Sequence, residues 1–240
     1  MTADPGKLYL VPTPIGNLGD ITERALDILR QVDLIACEDT RHSGRLLKAF
    51  DIDKPLTSYH EFNERARAES IAERIRSGAS VAVITDAGSP GISDPAYRVV
   101  RAALDLNIEV TALPGPSALL PALTASGLPT DRFLFEGFLP PKGAARRNRL
   151  ERLSEFAHTI VFYESPHRVI KTLNDMQEVL GNRPACLARE ISKKFEEYVR
   201  GDLEQILKRL KGRRLRGEIV LVVAGKVYSE KLARREQEHD

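Results

Sequence analysis

Apolar positions in this chain recur in two rhythms, and the alternation between them predicts the fold. Short runs dense in aliphatic and β-branched residues read as strands: "LYLVPT" (8–13), "DLIACED" (33–39), "PLTSYH" (55–60), "SVAVITD" (80–86) and "EVTALP" (109–114). Between them the apolar spacing changes to three and four. "DITERALDILRQV" (20–32) sets Ile21, Ala25, Ile28, Leu29 and Val32 on one helical face, with Asp20 at the predicted cap. "SGRLLKAF" begins a helix after the second strand, and "NERARAESIAERIRSG" (63–78) starts on Asn and stops on Gly. "DPAYRVVRAALDL" (94–106) is expected to be a helix with Asp94 at its cap and Pro95 in its first turn. Strands separated by helices of this length predict a mainly parallel α/β sheet.

The second half has a different pattern. "RFLFEGFLP" (132–140) and "TIVFYESP" (159–166) are strands around a basic helix, and "HRVIKTLNDMQEVLG" (167–181) is another helix. "PACLAREI" (184–191) and "EEYVRGD" (196–202) follow each other closely enough to be antiparallel neighbours, and "GEIVLVVAG" (217–225) is a last buried strand. The expected division is an N-terminal α/β domain over 1–116, a C-terminal α/β domain with a mixed sheet over 117–228, and a flexible tail over 229–240, where apolar residues are few.

Composition narrows the class without changing this layout. The chain has 240 residues, 42% hydrophobic and 29% charged, which suits a globular protein of one large or two small domains. No apolar run approaches the roughly 18–20 residues that cross a bilayer. The start, "MTADPGKLYLVP", lacks the basic segment and apolar core of a signal peptide. Cys37 and Cys186 lie in apolar surroundings and are expected to be buried, reduced thiols. The expected location is the cytoplasm. Net charge is only +2, but "KGAARRNR" (142–149) and "KRLKGRRLR" (208–216) concentrate positive charge in the second half. Either run alone is as readily a solvated helix face; together they favour an anionic partner.

Chemistry is expected where loops leave the strands. "PTPIGNLGD" (12–20), "DAGSPGISDP" (86–95) and "PGPSA" (114–118) each follow an apolar strand, and their small residues let a ligand approach the backbone. Any one of them alone is better explained as a turn; three at one sheet edge favour a small-molecule site. No G-x-G-x-x-G follows the first strand and no P-loop motif occurs, which disfavours the usual NAD and ATP folds. No His or Cys pair has metal-ligand spacing, so no metal is expected. Polar clusters close other strands: "CEDTRHS" (37–43), "SYHEFNE" (58–64), "YESPHR" (163–168) and "AREISKKFEE" (188–197).

Taken in order with "LYLVPTPIGNLGDITERAL", "VITDAGSPGISDP", "LPGPSA" and "FLFEGFLPPKG", these clusters resemble the small-subunit ribosomal RNA methyltransferase I group of the tetrapyrrole methylase superfamily, across roughly residues 7–225. The resemblance implies a two-domain α/β protein, a homodimer, and S-adenosylmethionine bound in a cleft between the domains. It implies methyl transfer to the ribose 2′-hydroxyl of a cytidine in 16S ribosomal RNA. The cofactor positions it implies are Pro14, Ile15, Gly16, Asp86, Gly88, Ser89, Ile92, Ser117 and Ala118, with Tyr163, Ala188 and Ile219 in the second domain. This cofactor carries no phosphate, so backbone groups at Gly-rich turns and apolar side chains around its base can hold it.

For that reaction the candidates for the base, by loop position, are Glu38, Asp39, His60 and Glu164, with the "CEDTRH" loop favoured. Arg41, Arg168, Arg189 and Lys193 are candidates to hold RNA phosphate or a developing alkoxide. Lys142, Arg146, Arg147 and Arg149 are candidate phosphate contacts. Two rival readings share some of these features: a precorrin-type tetrapyrrole methyltransferase, and an RNA-binding module without catalysis.

Overall fold

A computed structural model describes residues 6–237. The chain divides into two compact units, Met1–Ser117 and Ala118–Asp240.

In the first unit, β1 (Lys7–Leu10), β2 (Leu34–Cys37), β3 (Leu56–Ser58), β4 (Val81–Val83) and β5 (Glu109–Ala112) form one sheet in the order β3-β2-β4-β1-β5, every pair parallel. Strands buried on both faces need continuous apolar runs, and "LIAC" of β2 and "VAV" of β4 are buried throughout. Alternate residues of β1 feed opposite layers. Leu8 joins Ala68, Ile71 and Ile75 of α3 (Glu64–Arg76) and Val99 and Ala103 of α4 (Tyr97–Asp105). Tyr9 joins Ala25, Ile28 and Leu29 of α1 (Glu23–Gln31) and Leu47 of α2 (Thr40–Ala49).

Two caps differ from expectation. Asp20 closes a short 3-10 turn, Leu18–Asp20, and the cap of α1 is Thr22, whose side chain accepts the Ala25 N–H. Asp94 does not cap α4: that helix starts on Ala96 without a side-chain cap, and the buried Tyr59 hydroxyl accepts the Val99 N–H at 3.2 Å. Burial pushes the Tyr59 phenol up to about 12, so it stays protonated.

The second unit opens with α5 (Leu119–Thr124). It then builds a mixed sheet from β6 (Phe133–Phe138), β7 (Thr159–Glu164), β8 (Pro184–Arg189), β9 (Glu197–Asp202) and β10 (Ile219–Val223), in the order β6-β7-β10-β8-β9. β6 and β7 are parallel, and the β10–β7, β10–β8 and β8–β9 pairs are antiparallel, the last as the short link between those strands predicts. α6 (Gly143–Leu153), α7 (Val169–Leu180) and α8 (Leu203–Leu210) share one core with Phe162, Leu187 and Leu221 on one sheet face. α8 lies in a stretch whose charge masks its apolar spacing; Asp202 and Gln205 form its capping box. Residues 226–237, expected to run into a flexible tail from 229, form α9 (Lys226–Gln237); residues 238–240 lie outside the described residues.

A buried ion pair joins two of these helices. Arg146, expected to contact RNA, is 5% exposed and binds Asp175 of α7 at 2.6 Å, while Arg147 reaches the other Asp175 oxygen at 3.1 Å. Removing one member of such a pair strands the other charge away from water. Asp175→Ala is therefore expected to lower the unfolding free energy by about 3–5 kcal/mol in urea titration, with Arg146→Ala similar. A change under about 1 kcal/mol in both would show that the pair does not hold α6 to α7.

Candidate active site

Three loops leave the carboxyl edge of the parallel sheet, and hydrogen bonds sew them together. Thr13 and Gly88 exchange backbone N–H···O bonds, both 2.9 Å, as an isolated antiparallel bridge between the loops after β1 and β4. The buried Thr13 hydroxyl donates to the Thr85 carbonyl at 3.0 Å, and the Thr85 hydroxyl donates to the Gly88 carbonyl at 3.3 Å. The Ser89 hydroxyl donates to the Pro116 carbonyl at 3.1 Å, which draws in the "PGPSA" loop.

Glycine is needed at two of these places. Gly88 has φ +87°, strained for any L side chain. A Cβ on Gly115 would stand 2.8 Å from the Pro12 Cβ. Pro14, Ile15, Gly16, Asp86, Gly88, Ser89 and Ser117 thus lie on joined loops. Ile92, in the same loop as Gly88, is 39% exposed.

Beside these loops the same edge carries an acidic cluster. Glu38 follows β2, His60 follows β3, and Asp86 follows β4. Glu38 Oε1 and Asp86 Oδ1 are shut off from water without a hydrogen-bond partner. Burial raises the Glu38 carboxyl above its ordinary range and the Asp86 charge raises it further; the Asp86 backbone and His60 pull it back. Asp94 belongs to this cluster. Burial, then the charges of Glu38 and Asp86, push it up to about 7. The two acids of "DAGSPGISDP", which look in sequence like a ligand contact and a helix cap, therefore act on each other.

His60 is held in a defined tautomer. Its backbone N–H donates to Asn63 Oδ1 at 2.9 Å, and Asn63 Nδ2 also faces the Ser58 carbonyl at 3.3 Å, which fixes the amide. Nδ2 then stands 3.2 Å from His60 Nε2, so in the neutral ring Nε2 accepts and Nδ1 carries the hydrogen. That Nδ1 is buried and unpartnered.

The other candidate bases are engaged elsewhere. Asp39 is exposed and caps α2, accepting the backbone N–H groups of Arg41 and His42. Those bonds hold its carboxyl below the ordinary range, a poor setting for a base. Glu164 is buried, with one oxygen on Arg168 and the Ser165 N–H and the other on the Thr172 hydroxyl at 2.6 Å. It anchors the start of α7.

In the second unit strand parity separates the predicted cofactor positions. Val220 of β10 is directly opposite Tyr163 on one side and Ala188 on the other, so these three share a face. Ile219 points the other way, into the core with Phe162 and Leu187. The position matching Tyr163 and Ala188 is Val220, one residue from the expected one. α5, which Ala118 precedes as its N-cap, packs on β8 and β10.

The predicted phosphate contacts are largely paired to carboxylates: Arg149 to Glu136, Arg168 to Glu164, Arg189 to Glu197 and Lys193 to Glu218. Lys142 and Arg41 are exposed, each at the start of a helix.

Residues 7–207 match the family model described as Tetrapyrrole (Corrin/Porphyrin) Methylases. The chain belongs to the tetrapyrrole methylase family. It is a methyltransferase that takes its methyl group from S-adenosylmethionine. Among curated relatives, the Ribosomal RNA small subunit methyltransferase I of Haemophilus influenzae is 48% identical, the match spanning 96% of this chain and 82% of that one. Its namesake from Pseudomonas aeruginosa is 50% identical over 92% and 79%. Two solved structures share the fold: uroporphyrin-III C-methyltransferase of Thermus thermophilus complexed with S-adenosylhomocysteine (18% identity, TM-score 0.59, 92% and 98% covered) and the cobalt precorrin-4 methyltransferase CbiF (18%, 0.62, 92% and 95%).

The residues present fit this cofactor. Buried carboxylate oxygens without partners suit its positively charged ammonium and sulfonium groups. Among the described residues no group of three or more His, Cys, Asp and Glu side chains is arranged to hold a metal.

The cluster has a pH consequence. A raised Asp94 means that the folded protein keeps a proton the unfolded chain releases, from the ordinary 3.8 up to about 7, so stability falls as pH rises through that window. Asp94→Asn removes this fall. Its melting temperature is expected to match wild type near pH 4 and to exceed it near pH 8; parallel pH profiles for the two would show that Asp94 carries no such burden.

Proposed function

We propose that this methyltransferase acts on the ribose 2′-hydroxyl of a cytidine in small-subunit ribosomal RNA, with Glu38 as the base. The observation that carries the assignment of the base is the buried, unpartnered Glu38 Oε1 beside Asp86 and Asp94, on a carboxyl whose affinity for a proton is raised. The RNA substrate is supported by the names of relatives at 47–50% identity, against 18–21% for the tetrapyrrole-methylating structures. The same resemblance carries a homodimer, so sedimentation at twice the chain's mass is expected, and a monomer would remove that part of the reading.

Bound S-adenosylmethionine supplies an electrophilic methyl on a positively charged sulfur. The chain's own task is to hold and deprotonate the alcohol. Glu38 Oε1 takes the 2′-hydroxyl proton as the oxygen turns nucleophilic, and its raised pKa makes it a better acceptor than an ordinary carboxylate. His60 Nδ1–H, fixed by Asn63, offers a hydrogen bond to the charged form of Glu38 or to the ribose oxygen. The Thr13–Gly88 bridge keeps the loops in register, so distance and direction are set before substrate arrives.

Glu38→Gln is expected to lower kcat for methyl incorporation about 100-fold or more while calorimetry still shows cofactor binding. Asp39→Asn, whose amide oxygen can still cap α2, is expected to stay near wild type. Full activity in Glu38→Gln would remove Glu38 as the base. Mapping 2′-O-methylation on ribosomal RNA, naked and within assembled small subunits, tests the substrate.

A further inference from the structure

Two loops at one edge of the mixed sheet form a single surface. The loop after β8 (residues 190–196) and the loop between α8 and β10 (residues 211–218) are locked together. Glu197 accepts from Arg189 and Arg213, both at 2.7 Å, and Arg189 also donates to the Arg216 carbonyl at 3.2 Å. Lys193 reaches Glu218 at 2.9 Å. The Glu218 N–H donates to Glu190, whose side chain lies where a Cβ on Gly217 would be. These pairs hold the Glu197 carboxyl down at about 2, so the network stays charged at any working pH.

The network uses up the carboxylates and leaves cations over. Residues 189–197 and 211–218 contain seven Lys and Arg against four Glu, an excess of three, larger than the +2 of the whole chain. Lys211, Arg214 and Arg216 are exposed, and none forms an ion pair with another described residue. Lys194 is exposed too, and its ammonium lies 5.7 Å from the centre of the Phe195 ring, itself 63% exposed. Free cations around an exposed aromatic face fit a polyanion with unstacked bases, and do not fit a protein partner that would have to bury four unpaired charges.

The edge is also the relevant one. β7 and β8 end there, at Glu164 and Arg189, and β10 begins there at Ile219. Tyr163, Ala188 and Val220 lie one residue in from it.

We infer that Lys194, Phe195, Lys211, Arg214 and Arg216 form a contact surface for a single-stranded or looped segment of the RNA substrate, the cations on phosphates and Phe195 on a base. The inference rests on the RNA-methylating reading above. It replaces the paired Arg146, Arg149, Arg189 and Lys193 as the main phosphate contacts in this unit.

The test uses the full chain, S-adenosylmethionine and 16S ribosomal RNA, both naked and within assembled small subunits. The triple variant Lys211→Ala/Arg214→Ala/Arg216→Ala is expected to raise KM for RNA about tenfold or more and to reduce the slope of log affinity against log salt by about 2, at about 0.7 per lost contact. Phe195→Ala is expected to weaken binding about tenfold with the slope unchanged. Cofactor affinity and melting temperature should not move, since these side chains are exposed. If the triple variant melts early, Arg214→Gln alone should still lower the slope by about 0.7. Unchanged RNA affinity and slope in variants of an enzyme that methylates the RNA would overturn this inference and leave the function standing. Absence of methylation and of RNA binding by the wild type with both forms of the RNA would overturn the function itself.

Discussion

The Thr13–Gly88 bridge is the constraint on which the first unit's site depends. A parallel sheet brings its strands out at one edge, but loops beyond the last ladder bond are free to diverge. Here β1 and β4 are neighbours, and one more pair of backbone bonds, antiparallel this time, is added past their ends. Two threonine hydroxyls close the remaining donors and acceptors inside it. The backbone at Gly88 is thereby presented at a fixed height above the sheet, and a positive φ lets it turn there. Rigidity of this kind comes from local bonds of short reach, so it tolerates variation in the surrounding helices.

That rigidity has an electrostatic consequence. Asp86 is held close enough to Glu38 and Asp94 for its charge to raise the proton affinity of both, and Glu38 Oε1 and Asp86 Oδ1 have no partner. A flexible loop would relax by swinging the acids into water. The bridged loop and the buried strand ends prevent it. An acid cluster kept under repulsion is poised for a cation, and the ligand of this family brings both an ammonium and a sulfonium. The repulsion among these acids in the free protein is the same feature that would complement a cationic ligand.

Much of this was legible in the sequence, because the fold rests on periodicity and on loops that follow apolar strands. The alternation of β and α elements, the converging loops and the family motifs all follow from local patterns. What was not legible depends on geometry that short-range pattern does not encode. Ile219 and Val220 look alike in an apolar run, and only the pairing of Val220 with Tyr163 and Ala188 decides which of them shares their face. Asp94 precedes a proline at a helix start and reads as a cap, yet the first-turn acceptor comes from Tyr59, far away in the chain. Arg146 stands in a basic run and reads as surface, but the periodicity of α6 turns it inward toward Asp175.

The basic runs make the same point about charge. Counting Lys and Arg along a sequence measures total charge, whereas a polyanion responds to charge left unneutralised. The run at 142–149 is the more regular in sequence, yet its arginines are largely matched by Glu136 and Asp175. In the run at 208–216 the single glutamate pairings at Lys208 and Arg213 leave Lys211, Arg214 and Arg216 to solvent. Because Arg213 pins that loop through Glu197, its free neighbours are displayed on an ordered backbone. An ordered cationic loop loses less conformational entropy on meeting RNA than a mobile one, so more of its Coulombic attraction survives as affinity.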